Sequence, residues 1–268
     1  MKKIFCFIAL LFLLLNETKA QDVAGISRVH YFYNSGWLVE TDKHLLLFDF
    51  IPSAEAAISF ATLQQELKKG LAANKKLFIF ISHDHEDHFN KSIFWLGENN
   101  RNVEFVLGWK PAKTPSVAVL SMLNPGDSLV KKEISVFTHP ATDDGSAFLV
   151  KIDSLSIYHA GDHALWVEEL VPQFSKELLE MKNKAGKIDL AFIPAARGMF
   201  TKCAVDSTIE KGVQISAAIL QPTVTALQHI GCADKLAQYG QTAEKLAAIK
   251  THWIAPARYN VDYKIGSR

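Results

Sequence analysis

The stretch "ISHDHEDHF", residues 81–89, decides how this chain is read. Three histidines and three acidic residues fill the six positions from His83 to His88, directly behind the apolar run Leu77-Phe78-Ile79-Phe80-Ile81. The apolar run predicts a buried strand, so the charged segment is the loop at its end. On extended backbone alternate side chains face one side, which groups His83 with His85. Asp87 and His88 follow where the chain turns. Imidazole nitrogen and carboxylate oxygen are the ligands that suit zinc and its neighbours. A structural zinc site takes four ligands and closes; this loop offers too many for one ion and reads as built for two. A solvated acidic turn would explain one incidental histidine, but not His-x-His-x-Asp-His at the end of a hydrophobic strand.

Working outward, short runs rich in aromatic and branched residues predict strands at Arg28–Tyr33, Gly36–Glu40 and His44–Phe50, separated by turn-like Asn-Ser-Gly and Thr-Asp-Lys. Helical spacing with a glycine stop covers Ala54–Gly70. After the metal-ligand loop come a short helix at Lys91–Leu96 and strands at Val103–Leu107, Glu133–Phe137, Ser146–Ile152 and Leu155–His159. A helix is predicted over Leu165–Lys184, a strand over Ile188–Ile193, a helix over Val205–Leu220, a strand over Thr223–Gln228 and a last helix over Ala233–Ile249. Two strand-rich halves, each followed by helices and without repeat or linker, fit a single α/β layered domain.

The string from His83 to His88 resembles the signature of the metallo-β-lactamase fold superfamily, and other segments agree in order. "LLLFDF" resembles the strand that ends in an Asp beneath the metal loop, here Asp49. "VFTHPATDDGSAFLVKID" resembles the segment supplying the next ligand, here His139. "LSIYHAGDHALW" resembles the Gly-Asp element whose carboxylate bridges two metals, here Asp162, and "PTVTALQHIG" resembles the late strand ending in the final histidine, here His229. The resemblance implies a four-layer αββα sandwich. It also implies two divalent ions, zinc first with Mn2+ or Fe2+ as alternatives, one held by His83, His85 and His139. The other would be held by Asp87, His88 and His229, with Asp162 bridging. By the same resemblance Asp87 and Asp162 serve catalysis, and water activated on the metal pair attacks a carbonyl or phosphorus centre.

His163 stands where relatives usually carry Thr or Ser. It is either a catalytic or substrate contact or a polar loop residue. Asp49 is a candidate to orient a ligating histidine. Arg197, in "IPAARGMF", is a candidate clamp for a substrate carboxylate or phosphate. Trp109 and Trp166 could line a pocket, although aromatic residues commonly pack in cores. His159 ends a strand and reads as packing; His30, His44 and His252 have no ligand neighbours.

The secreted β-lactamases most often place Cys where this chain has Asp162. The short spacing from His139 to Asp162 and the compact length are more similar to the branch of lactonases and phospholipase-D-like enzymes. The resulting expectation is a hydrolase of a small ester, lactone or phosphodiester. The alternatives are a β-lactamase acting on β-lactam amides and a catalytically silent metal-containing binding protein.

The chain ends bound the rest. Met1-Lys2-Lys3, the apolar run Ile4–Leu15 and the polar stretch Asn16–Ala20 form a secretory signal pattern, cleaved after Ala20. The run of twelve apolar residues is shorter than the ~20 a bilayer span needs. Residues 21–268 then form the mature domain, secreted or periplasmic, with no stable membrane insertion. Its near-neutral charge gives no electrostatic case for nucleic acid as a partner; a small molecule is the expected one. Cys203 and Cys232 either pair in an oxidising compartment or pack as separate small hydrophobes.

Overall fold

The computed structural model describes residues 23–198 and 201–265. The expected signal segment, residues 1–20, lies outside them. Two seven-stranded sheets stack face to face. The first contains β1 (Ile26–Tyr31), β2 (Trp37–Thr41), β3 (His44–Phe48), β4 (Lys76–Ile81), β5 (Val103–Leu107) and β6 (Leu120–Met122), with β14 (Val261–Tyr263) beyond β1. The second runs in the order β13 (His252–Ile254), β12 (Val224–Gln228), β11 (Leu190–Pro194), β10 (Leu155–His159), β9 (Ser146–Ile152), β8 (Ile134–Pro140) and β7 (Ser128–Val130).

Strand composition sets the layering. Side chains alternate across a sheet, and β3 and β4 are apolar at every position but their first. Leu45, Leu47, Leu77 and Ile79 therefore pack outward, against Leu63 and Leu67 of helix α1 (Phe60–Ala72). Leu46, Phe48, Phe78 and Phe80 pack inward, against Val136, Phe148, Val150 and Ile157 of the second sheet. Helices α2 (Val171–Ala185) and α3 (Ser207–Leu220) cover the far face of that sheet through Phe174, Leu178, Val213 and Leu220, and α4 (Ala237–Lys245) adds Tyr239. The result is the expected four-layer αββα sandwich.

Several boundaries differ from the sequence reading. Helix α1 begins at Phe60 rather than Ala54, because Ser53 and Ile58 pair their backbones in a tight turn and Ser59 caps the helix. The Ser59 side chain accepts from the Thr62 N–H while the Thr62 hydroxyl accepts from the Ser59 N–H, a reciprocal cap. Helix α2 begins at Val171, after residues Ala164–Trp166 have folded back over the Asp162 loop. Helix α4 is shorter than the span Ala233–Ile249. Four edge strands (β6, β7, β13 and β14) were not anticipated; each is three residues long, too short for a period of two to register.

The topology aims many strand ends at one place. Strands β3 to β6 run parallel in the first sheet, and β10 to β13 run parallel in the second. Open α/β sheets offer their crevice at the carboxyl ends of parallel strands. Asp49 follows β3, His83 follows β4, Asp162 follows β10 and His229 follows β12.

Candidate metal centre

At that shared edge lie His83, Asp87, His88, Asp162 and His229, all buried, with His85 on the exposed rim. His83, His88 and Asp162 each direct one ligand atom to within 4.8 Å of the others; Asp87, His88 and His229 form a second such group. Asp162 links the two. Its Oδ1 is 2.9 Å from His88 Nε2 and 3.2 Å from His229 Nε2, and its Oδ2 is 3.5 Å from His83 Nε2.

The opposite face of each buried imidazole is tied down. His88 Nδ1 donates to Asp49 Oδ2 at 2.8 Å. His229 Nδ1 donates to the Ala196 carbonyl at 2.9 Å. His83 Nδ1 lies 2.8 Å from Ser82 Oγ, whose hydroxyl donates to Asp49 Oδ2 at 2.7 Å. Asp49 also accepts the Ser82 backbone N–H at 2.8 Å. With each Nδ1 acting as donor, every Nε2 presents its lone pair to the centre, the arrangement ligating histidines adopt. His88 Nε2, His229 Nε2 and Asp162 Oδ1 are buried and make no hydrogen bond. Orphaned acceptors gathered at one point fit a cation better than they fit one another.

Electrostatics agree. Burial works against the Asp162 carboxylate, yet His88 and His229 outweigh it and hold its pKa well below the usual range. Burial also works against charge on His88, but Asp162 and Asp49 raise its pKa well above the ordinary histidine value. The centre is built to hold positive charge between carboxylates.

Backbone strain marks the same residues. Asp49 and His229 hold φ of +39° and +72°. Such conformations persist where surroundings over-determine them. Asp49 N–H donates to Phe80 O at 3.0 Å, and His229 N–H donates to Asn34 O at 2.9 Å. Asn34 Nδ2 in turn donates to the Asp87 carbonyl at 2.8 Å, so one residue of the first sheet positions two of the ligand candidates.

Two residues proposed from the sequence stand apart. His139 lies inside β8, paired with Ala147, and turns both ring nitrogens away from the cluster. Its Nδ1 donates to Pro140 O at 2.8 Å and its Nε2 meets the Tyr158 hydroxyl at 3.1 Å. Burial lowers its pKa to about 4, so it is neutral. His163 stacks on Phe174, its Nε2 3.3 Å from the Phe174 carbonyl, and faces α2 rather than the cavity. Its neighbour Asp162 takes the inward direction, and the turn closed by His163 N–H on Ala160 O sends the next side chain the other way.

In place of His139 the structure brings Asp143, from the loop after β8, beside His85 and Asp162, with ligand atoms within 4.8 Å of one another. The sequence reading passed over it. The available signal was position: the other ligand candidates stand beyond a strand end, and Asp143 does too, whereas His139 does not.

The centre opens into a cavity of about 480 Å³, walled by Trp166, Arg197, Gly198 and Thr201 opposite the acidic loop. Trp166 Nε1 donates to the Asp162 carbonyl at 3.2 Å. Arg197 reaches the cavity but is anchored by Asp206, which also caps α3. Trp109 packs against Phe89 in the outer core instead. His159 stacks on Phe48 beneath the site, His30 pairs with Asp262 and His44 with Asp153. Cys203 and Cys232 form a disulfide.

This geometry has relatives. The chain is 26% identical over 176 residues to a UPF0173 metal-dependent hydrolase of Pyrobaculum calidifontis, covering 62% of this chain and 71% of that one. Among solved structures it resembles Igni18, a metallo hydrolase from Ignicoccus hospitalis, with a TM-score of 0.59 and 17% identity over 89% of this chain and 99% of the other. The chain therefore has the metallo-β-lactamase fold, and the relatives it resembles in sequence are metal-dependent hydrolases. The same fold appears in CmlA, a diiron β-hydroxylase from Streptomyces venezuelae, with a TM-score of 0.59 and 10% identity. That match covers 90% of this chain but spans about half of CmlA, 55% of its length. No protein-family model matches the chain.

Proposed function

We propose that this protein is a metal-dependent hydrolase that works with two divalent ions on a small ester, lactone or phosphodiester, after export from the cytoplasm. The observation that carries the reading is the convergence of buried imidazoles whose outer nitrogens are all tied down, around one unpartnered bridging carboxylate. Asp87, His88 and His229 would hold one ion, His83 and His85 the other, with Asp162 between them. Two bound ions supply Lewis acidity and lower the pKa of water toward neutrality.

The chain's own residues do the rest. Asp162, held anionic by His88 and His229, would supply a carboxylate oxygen to each ion. Asp87, at the cavity wall, is the candidate to accept a proton beside the scissile bond. Trp166 and Gly198 give the cavity a flat apolar side suited to the body of a small substrate. Arg197, the cation of that wall, would engage an anionic group while Asp206 holds it in place. Among the described residues no helix is long and apolar enough to cross a membrane. The Cys203–Cys232 disulfide supports an oxidising destination, in keeping with the signal pattern at residues 1–20.

The test begins with elemental mass spectrometry of mature protein purified without chelator or affinity metal. About two ions per chain are expected, followed by turnover of one member of a lactone, ester and phosphodiester panel that Asp162→Ala abolishes. Absence of metal, even after incubation with excess Zn2+ or Mn2+, would sink the proposal.

A further inference from the structure

We propose that Asp143, not His139, is the third protein ligand of the ion held by His83 and His85, and that this narrows the site's preference for Zn2+ over Mn2+ or Fe2+ compared with a three-histidine set. The inference rests on the two-ion reading above and names the ligand set of that centre.

Three features place Asp143. The loop that carries it is pinned on both sides of the site. On one side Ser146 N–H donates to the Ser82 carbonyl at 3.1 Å, within a residue of His83. On the other, the Thr142 hydroxyl donates to the Ala164 and Asp162 carbonyls and accepts the Ala164 N–H at 3.0 Å. Asp143 is thus held between the backbone of one ligand and the backbone of another.

The loop is also drawn unusually close. Gly145 has φ +67°, and a Cβ there would lie 2.3 Å from the Ser82 carbonyl oxygen and 2.4 Å from His83 Cβ. Only glycine permits that approach.

The ligand atoms then converge. His85 Nδ1 lies 3.1 Å from His83 Nε2. Two nitrogens bound tetrahedrally to one ion would be about 3.3 Å apart, given bonds near 2.0 Å. His85 Nε2 points outward, 3.6 Å from Asp144 Oδ2, which leaves Nδ1 as the nitrogen facing His83. Asp143 supplies an oxygen within 4.8 Å of ligand atoms of His85 and Asp162. Asp162, 4% exposed and with Oδ1 unpartnered, is the buried carboxylate these ligands meet. His139 has its Nε2 occupied by the Tyr158 hydroxyl at 3.1 Å and would have to give up that contact to take the place of Asp143.

The chemistry follows from the count. With Asp143 each ion receives two imidazoles, one terminal carboxylate and a share of Asp162. Exchanging an imidazole for a carboxylate shifts relative affinity toward the more oxygen-seeking Mn2+, and two histidines with one carboxylate and open positions also accept Fe2+, whereas a third imidazole raises the advantage of zinc.

The test titrates Mn2+, Zn2+ and, anaerobically, Fe2+ into chelator-treated mature protein. Stoichiometry is read by elemental mass spectrometry after gel filtration, and affinity by competition with a chromophoric chelator. The full chain carries Asp143→Asn, Asp143→His or His139→Gln, each checked for folding by circular dichroism. Asp143→Asn is expected to fall from about two ions to about one, and His139→Gln to keep about two. Asp143→His should shift the Zn2+-to-Mn2+ affinity ratio toward zinc by about tenfold or more. Two ions retained by Asp143→Asn, loss of one by His139→Gln, or an unchanged ratio in Asp143→His would each overturn the assignment. Wild-type protein that binds no metal would instead overturn the two-ion reading and this assignment with it.

Discussion

The two halves of the metal centre are built differently. Asp87, His88 and His229 sit in a closed wall, each side chain at most 6% exposed and backed by Asp49, Asn34 or the Ala196 carbonyl. The half around His83 and His85 faces the solvent: His85 is 45% exposed, and the acidic loop 141–145 closes over it from outside. The difference separates two tasks. A buried wall fixes one ion in unchanging geometry; an open rim leaves the other ion reachable by substrate. Breaking each half by itself should therefore give different losses.

The largest loss is expected from Asp49→Ala, which removes the direct backing of His88 in the closed half and, through Ser82, the backing of His83 in the open one. Asp49 is fully buried and takes three hydrogen bonds, from Ser82 N, Ser82 Oγ and His88 Nδ1. Burial works against its charge, but His159 and His88 lower its pKa. Removing one partner of a buried charged pair costs about 3–5 kcal/mol, and losing an outer partner of a ligand weakens metal binding about 10–100-fold. Urea denaturation and metal titration measure the two effects. A variant with wild-type affinity at both sites would show that the closed wall does not depend on its backing.

The disulfide belongs to the same half. Cys232 lies three residues beyond His229, and Cys203 N–H donates to the carbonyl of Gly198, whose backbone packs on the His229 ring. Replacing both cysteines with serine is expected to cost about 3–4 kcal/mol, the chain-entropy value for a loop closed across a separation of 29 residues. The metal affected should be the one His229 holds. Occupancy of the His83–His85 site should not change, and a loss there first would dissolve the distinction between halves.

Acid probes the ground beneath the open half. Burial holds His139 at a pKa of about 4, and burial together with His139 holds His163 well below the ordinary value. Above pH ~6.5 these rings are neutral in both folded and unfolded chains, so their contribution is complete. As pH falls from ~6.5 toward about 4 the unfolded chain takes protons that the folded His139 refuses, and stability is lost. For His139 alone the loss approaches about 3 kcal/mol. In chelator-treated protein, His139→Phe should flatten the slope of urea midpoint against pH across that window. An identical slope would mean that His139 is solvated in the folded chain.

How legible the centre was in the sequence depended on how local its geometry is. His83 to His88 could be read because one loop after one buried strand carries them all, whereas Asp49, Asp162 and His229 came through the resemblance of the segments that carry them. The layers were legible locally too: β3 and β4 are apolar on both faces, which only a sheet covered on both sides explains. For His139 the sequence shows a histidine in a segment, not where β8 ends. Its pairing with Ala147 keeps it within the strand, and it is Asp143, in the loop beyond, whose carboxylate lies with His85 and Asp162. His163 misled through direction: beside an inward Asp162 it faces outward, onto Phe174. Strand ends and side-chain directions are settled by register between distant segments, which a linear motif does not contain.

Gly145→Ala should have the smallest effect on stability and the most selective effect on the site. The added methyl meets the Ser82 carbonyl and the His83 side chain at φ +67°, so the loop must lift. Strain of this kind costs about 1–3 kcal/mol. The displacement is directed, because Ala141 N–H and Gly145 O close the loop as a unit and carry Asp143 away from His85 with it. Affinity at the open site should fall about tenfold or more, while the ion held by Asp87, His88 and His229 stays bound. Metal titration followed by thermal melting separates the two. Equal weakening of both ions would mean that Asp162 transmits the disturbance across the bridge, and the two halves would then be one mechanical unit rather than a rigid wall facing an adjustable rim.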